Sequence, residues 1–361
     1  MKTCDIQTGI AMVTKIVYDE IFKLHEMAPG HPENPLRLEA ALEGIREINT
    51  IEGEIGFLKP KRAELEDIYK IHDKKYIEHV KDQSEKGGGF FTLDTTSNEH
   101  TYLASLFAAG GGVLAVNEIV RNSVKNALVL CRPPGHHAEF GRAFGFCFVN
   151  NIAIAAKYLI DTTDCNRVMI IDYDAHHGNG TQNAFYSTND VMYIGLHQDG
   201  RTLFPGTGFV GEIGEGDGKG YNINIPMIPT AGDWAYGIAF DEVIQPIAES
   251  YNPDFILVSS GFDCHYQDPL AQLGLTYQGI ININQRLIDI AEKIASGRIA
   301  FFLEGGYNLG VIKQASKHLV EQLAGIPIEK IPEQHHKENK HEENIQLIIQ
   351  ELKKQLTELC F

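Results

Sequence analysis

The sequence predicts an α/β fold, a single domain with a mainly parallel central sheet flanked by helices. Three observations carry that expectation. Four short apolar runs, 127–130, 168–171, 255–258 and 299–303, have the length of buried strands rather than helices. Strand-like and helix-like segments then alternate as far as about residue 325, the pattern of parallel strands joined by helical crossovers. Finally, each of the four runs leads straight into a polar, glycine- or proline-marked segment. These are Arg132-Pro133-Pro134-Gly135-His136-His137, Asp172-Tyr173-Asp174-Ala175-His176-His177-Gly178-Asn179-Gly180, Gly261-Phe262-Asp263 and Gly305-Gly306-Tyr307-Asn308. Loops leaving the carboxyl ends of parallel strands share one edge and form the ligand crevice, so the four segments are expected to meet.

Taken in order, residues 13–19 read as a first strand, and helical patterns cover roughly 35–48 and 99–122. Glycine clusters at 87–89, 110–112 and 211–220 mark loops or tight packing rather than domain linkers. No internal repeat is evident. A catalytic domain is expected over 1–326, followed over 327–361 by a polar linker and an amphipathic helix. The polar character is concentrated in 333–342, and Ile345, Ile348, Ile349, Leu352, Leu356 and Leu359 then recur at helical spacing. That apolar stripe must dock, either on its own domain or on a second copy of the chain in a homo-oligomer.

The 361 residues, 43% of them hydrophobic, suffice for a sizeable core. A net charge of −17 argues against a nucleic-acid surface, which needs clustered Lys and Arg. It would mildly favour cationic substrates by long-range steering. Six scattered cysteines without a CxxC pair resemble neither a zinc cluster nor a disulfide framework. Without a signal-peptide core or a run approaching the ~20 apolar residues of a membrane span, the expected location is the cytoplasm, away from membranes.

Asp174 and His176 stand two apart just beyond a strand, so alternation can turn both to one side, and Asp263 at another strand end would complete three protein ligands. Catalytic zinc keeps a position open beside three such ligands. An oxygen-rich set also suits Fe(II), Co(II) or Mn(II). His136 and His137 at a rigid turn suit proton transfer, with Asp172 and Asn179 as candidate partners that fix tautomer and basicity. A carboxylate partner would keep one histidine protonated and an amide partner would leave the other near neutrality, but spacing does not say which pairs with which. Tyr307, after two glycines, suits oxyanion stabilisation. Phe146 and Phe204 are candidate walls of a narrow slot. Singly, an Asp at a strand end reads as a loop cap and a tyrosine or phenylalanine as core; together they describe a metal-dependent hydrolase.

In combination these segments resemble the histone deacetylase superfamily, with its arginase-deacetylase fold, over about residues 17–324, including the early segment His31-Pro32-Glu33-Asn34-Pro35-Leu36-Arg37. The resemblance implies that Asp174, His176 and Asp263 bind the metal, zinc or else Fe²⁺ or Co²⁺. It makes His137 the general base and acid, paired with Asn179, and His136 the electrostatic partner, paired with Asp172. Tyr307 would polarise the carbonyl. Gly145, Phe146, Phe204 and Leu270 would line an acyl-lysine tunnel, Asp94 would hold the substrate backbone at its rim, and Arg37 would serve an internal acetate cavity. A structural K⁺ or Na⁺ beside the 172–176 turn is implied as well. The implied substrates are acetylated proteins or peptides, with acetylated polyamines or other small amides as the alternative. A binding module without turnover is the reading from another class. Asn179, where some members carry Asp, and Leu270, where a polyamine-selecting branch carries an acid, are departures that bear on basicity and substrate. The segment 261–271 looks closer to prokaryotic deacetylases of the acetoin-utilisation type.

Overall fold

The computed structural model describes residues 13–49, 55–328 and 342–358. Its strands are β1 (Thr14–Val17), β2 (Ile55–Leu58), β3 (Gly88–Phe90), β4 (Thr96–Asn98), β5 (Asn126–Val129), β6 (Val168–Asp172), β7 (Val191–Gln198), β8 (Asn222–Met227), β9 (Phe255–Ser260) and β10 (Ile299–Leu303). Eight of them form one sheet in the order β2-β1-β5-β10-β9-β6-β7-β8, and every pairing in it is parallel. The last two strands of the chain therefore insert between β5 and β6. That crossover makes the four motif-bearing strands contiguous at the centre, with Val129 beside Phe302, Phe302 beside Ser259 and Ser259 beside Asp172. All four polar segments leave the same edge within this short span.

Strands β5 to β10 of the sheet are buried throughout because helices cover both faces, which explains the unbroken apolar runs within β5, β6, β9 and β10. The helices Thr101–Val120 and Asn151–Thr162 pack together over one face, while Leu36–Arg46, Tyr277–Ile294 and Leu309–Ala324 pack over the other. The helix Thr101–Val120 departs from the expectation that no segment has the length and apolarity of a membrane span: it has both, and 61% of its apolar window is buried inside the protein. Its apolarity belongs to the packed core. The triple glycine 110–112 lies within it; a Cβ on Gly110 would stand 1.9 Å from the Lys61 carbonyl oxygen, and one on Gly112 would stand 2.6 Å from the Phe302 ring. Tight packing, not a loop, is the reason for those glycines.

The C-terminal helix Glu342–Glu358 lies against β8 and the helical segment around Phe240–Ile244, burying Ile345, Ile349 and Leu352. Its stripe thus covers the open edge of the sheet in its own chain, where an exposed strand would invite pairing with another. The polar segment 333–341 and Leu359 fall outside the described residues.

His72 ties the outer shell to the site. It is buried, its Nδ1 lies 2.8 Å from the Glu139 carbonyl oxygen, and its Nε2 accepts from the Asn150 backbone N–H at 2.8 Å. Burial pushes its pKa down to about 4 from 6.5. The unfolded chain therefore binds this proton first as pH falls, so the contribution of His72 is fully present above pH 6.5 and is lost between there and about 4. We expect a stability loss of up to about 3 kcal/mol over that window, measurable as a fall in the urea midpoint. The variant His72→Gln should lack that component; identical pH slopes in both proteins would remove His72 as its source.

Candidate active site

The metal-site carboxylates and His176 are placed by strand ends. Beyond β6, the turn to the helix Asn179–Phe185 carries Asp172, Asp174, His176 and Asn179, and Asp263 follows β9. The ligand atoms of Asp174, His176 and Asp263 lie within 4.8 Å of one another. His176 Nδ1 is 3.2 Å from Asp174 Oδ1 and 2.9 Å from Asp263 Oδ2. Both carboxylates are fully buried, and their remaining oxygens are oriented by backbone donors: Ala175 N–H to Asp263 Oδ1 at 2.8 Å and Gly305 N–H to Asp174 Oδ2 at 2.7 Å. Close approach of β10 is possible only because residue 305 is glycine; a Cβ there would meet Asp263 at 2.3 Å and Asp174 at 2.6 Å.

Two carboxylates facing each other away from water constitute a site built for a cation. Burial and the Asp174 charge push Asp263 up to about 7. Asp174 is lowered: burial works against ionisation, but His136 and His176 outweigh it. His176 is pushed up to about 10, its two carboxylate hydrogen bonds overcoming the opposing effect of burial. The donor set and its convergence therefore fit a divalent metal.

The histidine pair resolves into two different environments. His136 Nδ1 lies 3.1 Å from Asp172 Oδ2, and its Nε2 lies 3.9 Å from Asp174 Oδ1. Burial opposes its charge, yet Asp174 and Asp172 hold its pKa at about 10. His137 Nδ1 lies 2.7 Å from Asn179 Oδ1. Burial, with His136 and His176 beside it, holds His137 well below the usual imidazole range. The Asn179 amide is oriented because its Nδ2 donates to Glu139 Oε1 at 2.7 Å. Its oxygen must then accept from His137, which places the His137 proton on Nδ1 and leaves Nε2 as a base.

Above these groups lies a cavity of about 150 Å³ lined by Asp94, His137, Gly145, Phe146, His176, Phe204, Leu270 and Tyr307. The Phe204 ring stands edge-on to His137 at 5.2 Å, and Phe146 stands edge-on to Tyr307 at 6.0 Å. Asp94 lies on the short link between β3 and β4, an antiparallel hairpin that sequence reading did not foresee. Gly145 has φ +52°, and a Cβ there would lie 2.3 Å from His137 Cδ2. Gly145→Ala should displace that ring and lower kcat by roughly 10²-fold without unfolding the protein; an unchanged rate would show that the ring is not held by this contact.

Tyr307 follows Gly306, whose φ of +111° turns the chain into the cavity. Its backbone N–H donates to Asp268 Oδ2 at 2.7 Å, and Asn308 caps the next helix by accepting from Gly310 and Val311. Arg37 is the site residue that lies elsewhere. It sits behind the cavity, fully buried, donating to the carbonyls of Gly306 (2.6 Å) and Glu304 and to Glu33 Oε1 (3.1 Å). Its guanidinium lies 5.1 Å from the Tyr307 ring centroid. Its donors thus hold the loop that carries Tyr307, and the residue lies behind the channel, outside the lining of the cavity.

Sequence reading passed over several supporting residues. Glu139 and Asp268 orient Asn179 and Tyr307 as described. His31 Nε2 approaches the Asp94 carbonyl oxygen at 3.1 Å, and its ring packs edge-on against Phe146 at 4.5 Å. Glu304 lies buried beneath the histidine turn. Of these, only Glu304 left a local signal, a carboxylate ending an apolar strand.

Comparison with known proteins gives a consistent result. Residues 31–323 match the family model described as a histone deacetylase domain. A protein of Archaeoglobus fulgidus named probable deacetylase is 39% identical over 324 residues, covering 89% of each chain. The histone deacetylase-like amidohydrolase of Pseudomonas aeruginosa is 34% identical over 83% of this chain and 78% of its own. Among solved structures, the HDA15 HD domain superposes with a TM-score of 0.87 at 33% identity, covering 96% of this chain and 95% of that one.

Proposed function

Because the chain belongs to the histone deacetylase family, we propose that it hydrolyses the acetyl amide of acetyl-lysine side chains in proteins or peptides, with zinc held by Asp174, His176 and Asp263. The observation that carries this reading is the narrow aromatic-walled cavity ending on His137, His176 and Tyr307, with a carboxylate, Asp94, at its mouth. Such a slot suits an extended, uncharged acyl-lysine arm, and Asp94 suits the backbone N–H groups beside it. When bound, the metal would polarise the acyl carbonyl and acidify water.

The chain's own residues supply the rest. Phe146 and Phe204 confine the arm so that its carbonyl arrives among His137, His176 and Tyr307. The Tyr307 phenol, whose pKa burial pushes well above its ordinary range, keeps its proton and donates it as a hydrogen bond to the developing oxyanion. His137 Nε2 takes the proton of the attacking water and returns it to the departing amine, a double role that suits a buried, neutral imidazole. His136, held cationic by Asp174 and Asp172 against the effect of burial, balances the negative charge that gathers on the oxyanion. Leu270 at the rim offers no carboxylate to a second ammonium group, which favours peptides over polyamines.

Acetate release by the zinc-reconstituted protein tests this reading. Acetyl-lysine peptides and acetylated polyamines are compared at matched concentration, with His137→Ala as the blank. Preference for the peptide is expected. Preference for the polyamine would retain the chemistry and discard the substrate class, and release from neither would discard acetyl hydrolysis.

A further inference from the structure

Glu304 is a fully buried carboxylate near the reaction centre with no part in the chemistry above, and its contacts are specific. The segment leaving β5 contains Pro133 and Pro134, which have no N–H. The first two backbone donors after them are Gly135 and His136. Both point at the same oxygen, Glu304 Oε2, at 2.7 and 3.2 Å. Ser259, on the neighbouring strand, lies 3.2 Å away and donates its hydroxyl to the other oxygen, Oε1. Among the described residues, no backbone carbonyl accepts from either of those two N–H groups. Without Glu304 they would be buried donors lacking partners, each an unfavourable state. The backbone of Glu304 is fixed from the other side, since its carbonyl accepts from Arg37.

We propose that Glu304 is a positioning residue for the reaction: by gathering two consecutive N–H groups from below, it sets the height and tilt of the turn that presents His136 and His137. Glu304 directly follows β10, which lies between β5 and β9, so its side chain reaches the turn from the centre of the sheet. His137 itself is clamped from above by Asn179 and Gly145, and Glu304 supplies the opposing constraint. Loss of the carboxylate would let the turn settle elsewhere, and misplacement of a base by about 1 Å lowers turnover on the order of 10²-fold. This assignment rests on the deacetylase reading for its kinetic consequence, though not for its structural one.

The test compares Glu304→Ala, Glu304→Gln and Ser259→Ala with the wild type. Kinetics on an acetyl-lysine peptide are measured alongside bound zinc and the ¹⁵N shifts of the histidine rings. Glu304→Ala should lower kcat roughly 10²-fold, leave KM within about twofold, retain zinc, and move the His136 and His137 ring signals. The amide oxygen of Glu304→Gln can still accept from both N–H groups, so kcat should return to within about fivefold of wild type with near-native ring signals. Ser259→Ala, a milder change, should lower kcat by about threefold to fivefold and serves if the alanine variant fails to fold. A folded Glu304→Ala protein with unshifted ring signals, or a Glu304→Gln protein as impaired as Glu304→Ala, would overturn the assignment. A loss confined to KM would do the same. Should the wild type release no acetate, the functional reading fails, and the ring signals still decide the positioning role on their own.

Discussion

His137→Ala is expected to lower kcat by roughly 10²–10⁴-fold, the usual contribution of a positioned general acid–base, while the protein retains its full complement of metal. The size of the loss follows from the lack of a substitute. His136 is the nearest imidazole, 4.0 Å away between ring centroids, but Asp174 and Asp172 hold it near a pKa of 10 despite burial, so it has no free base at neutral pH. Retention of metal follows from geometry, because His137 is not among the three converging ligands. Single-turnover acetate release and metal analysis on one preparation separate the two effects. Metal loss would place His137 among the ligands; an unchanged rate would transfer the proton-transfer role to another group.

Legibility in the sequence follows burial and locality. The strands β5, β6, β9 and β10 announce themselves because both faces are covered and each is built on an unbroken apolar run, 127–130, 168–171, 255–258 and 299–303. β8, by contrast, reads Asn222-Ile223-Asn224-Ile225-Pro226-Met227, and its asparagines donate to the buried Gln182 side chain and the Glu212 carbonyl, partners that no local pattern foretells. The order β5-β10-β9-β6 is a property of the whole topology and has no signature in any one segment. Asp174, His176, Asp263 and Tyr307 stand out in the sequence because each carries its chemistry in its own side chain, just beyond a strand, whereas Phe146 and Phe204 rest on the wider pattern and Asp94, Gly145 and Leu270 on the resemblance. The pairing of His136 with Asp172 and of His137 with Asn179 followed from the resemblance and not from spacing. Its physical basis, the Glu139 carboxylate that orients the Asn179 amide, is 40 residues away. Glu304, Asp268 and Arg37 work through backbone groups of other segments. Which backbone groups they hold is not written in residue type, so those contacts emerge only when the strands are in register.

Asp263→Asn is expected to reverse the order of stability between the metal-free and metal-loaded forms. In the metal-free wild type, burial and Asp174 push Asp263 up to about 7, so its ionised form weakens the fold progressively as pH rises from 3.8 through 7. Asparagine removes that charge while its Oδ1 can still accept from Ala175 N–H, the contact Asp263 makes at 2.8 Å. At pH 8 the metal-free variant should therefore melt at or above the metal-free wild type. Zinc should invert the ranking. The wild type gains stability by mass action, whereas the variant lacks one of three protein ligands, and its affinity should fall by at least about 10²-fold, the upper range for losing even an outer partner of a ligand. Melting temperatures of both proteins at pH 8, with and without saturating zinc, give all four values. Equal zinc-induced shifts would remove Asp263 from the ligand set. A much less stable metal-free variant would show instead that the carboxylate chiefly serves the fold through Ala175 and His176, and that the like-charged pair is not a cost held in place for a cation.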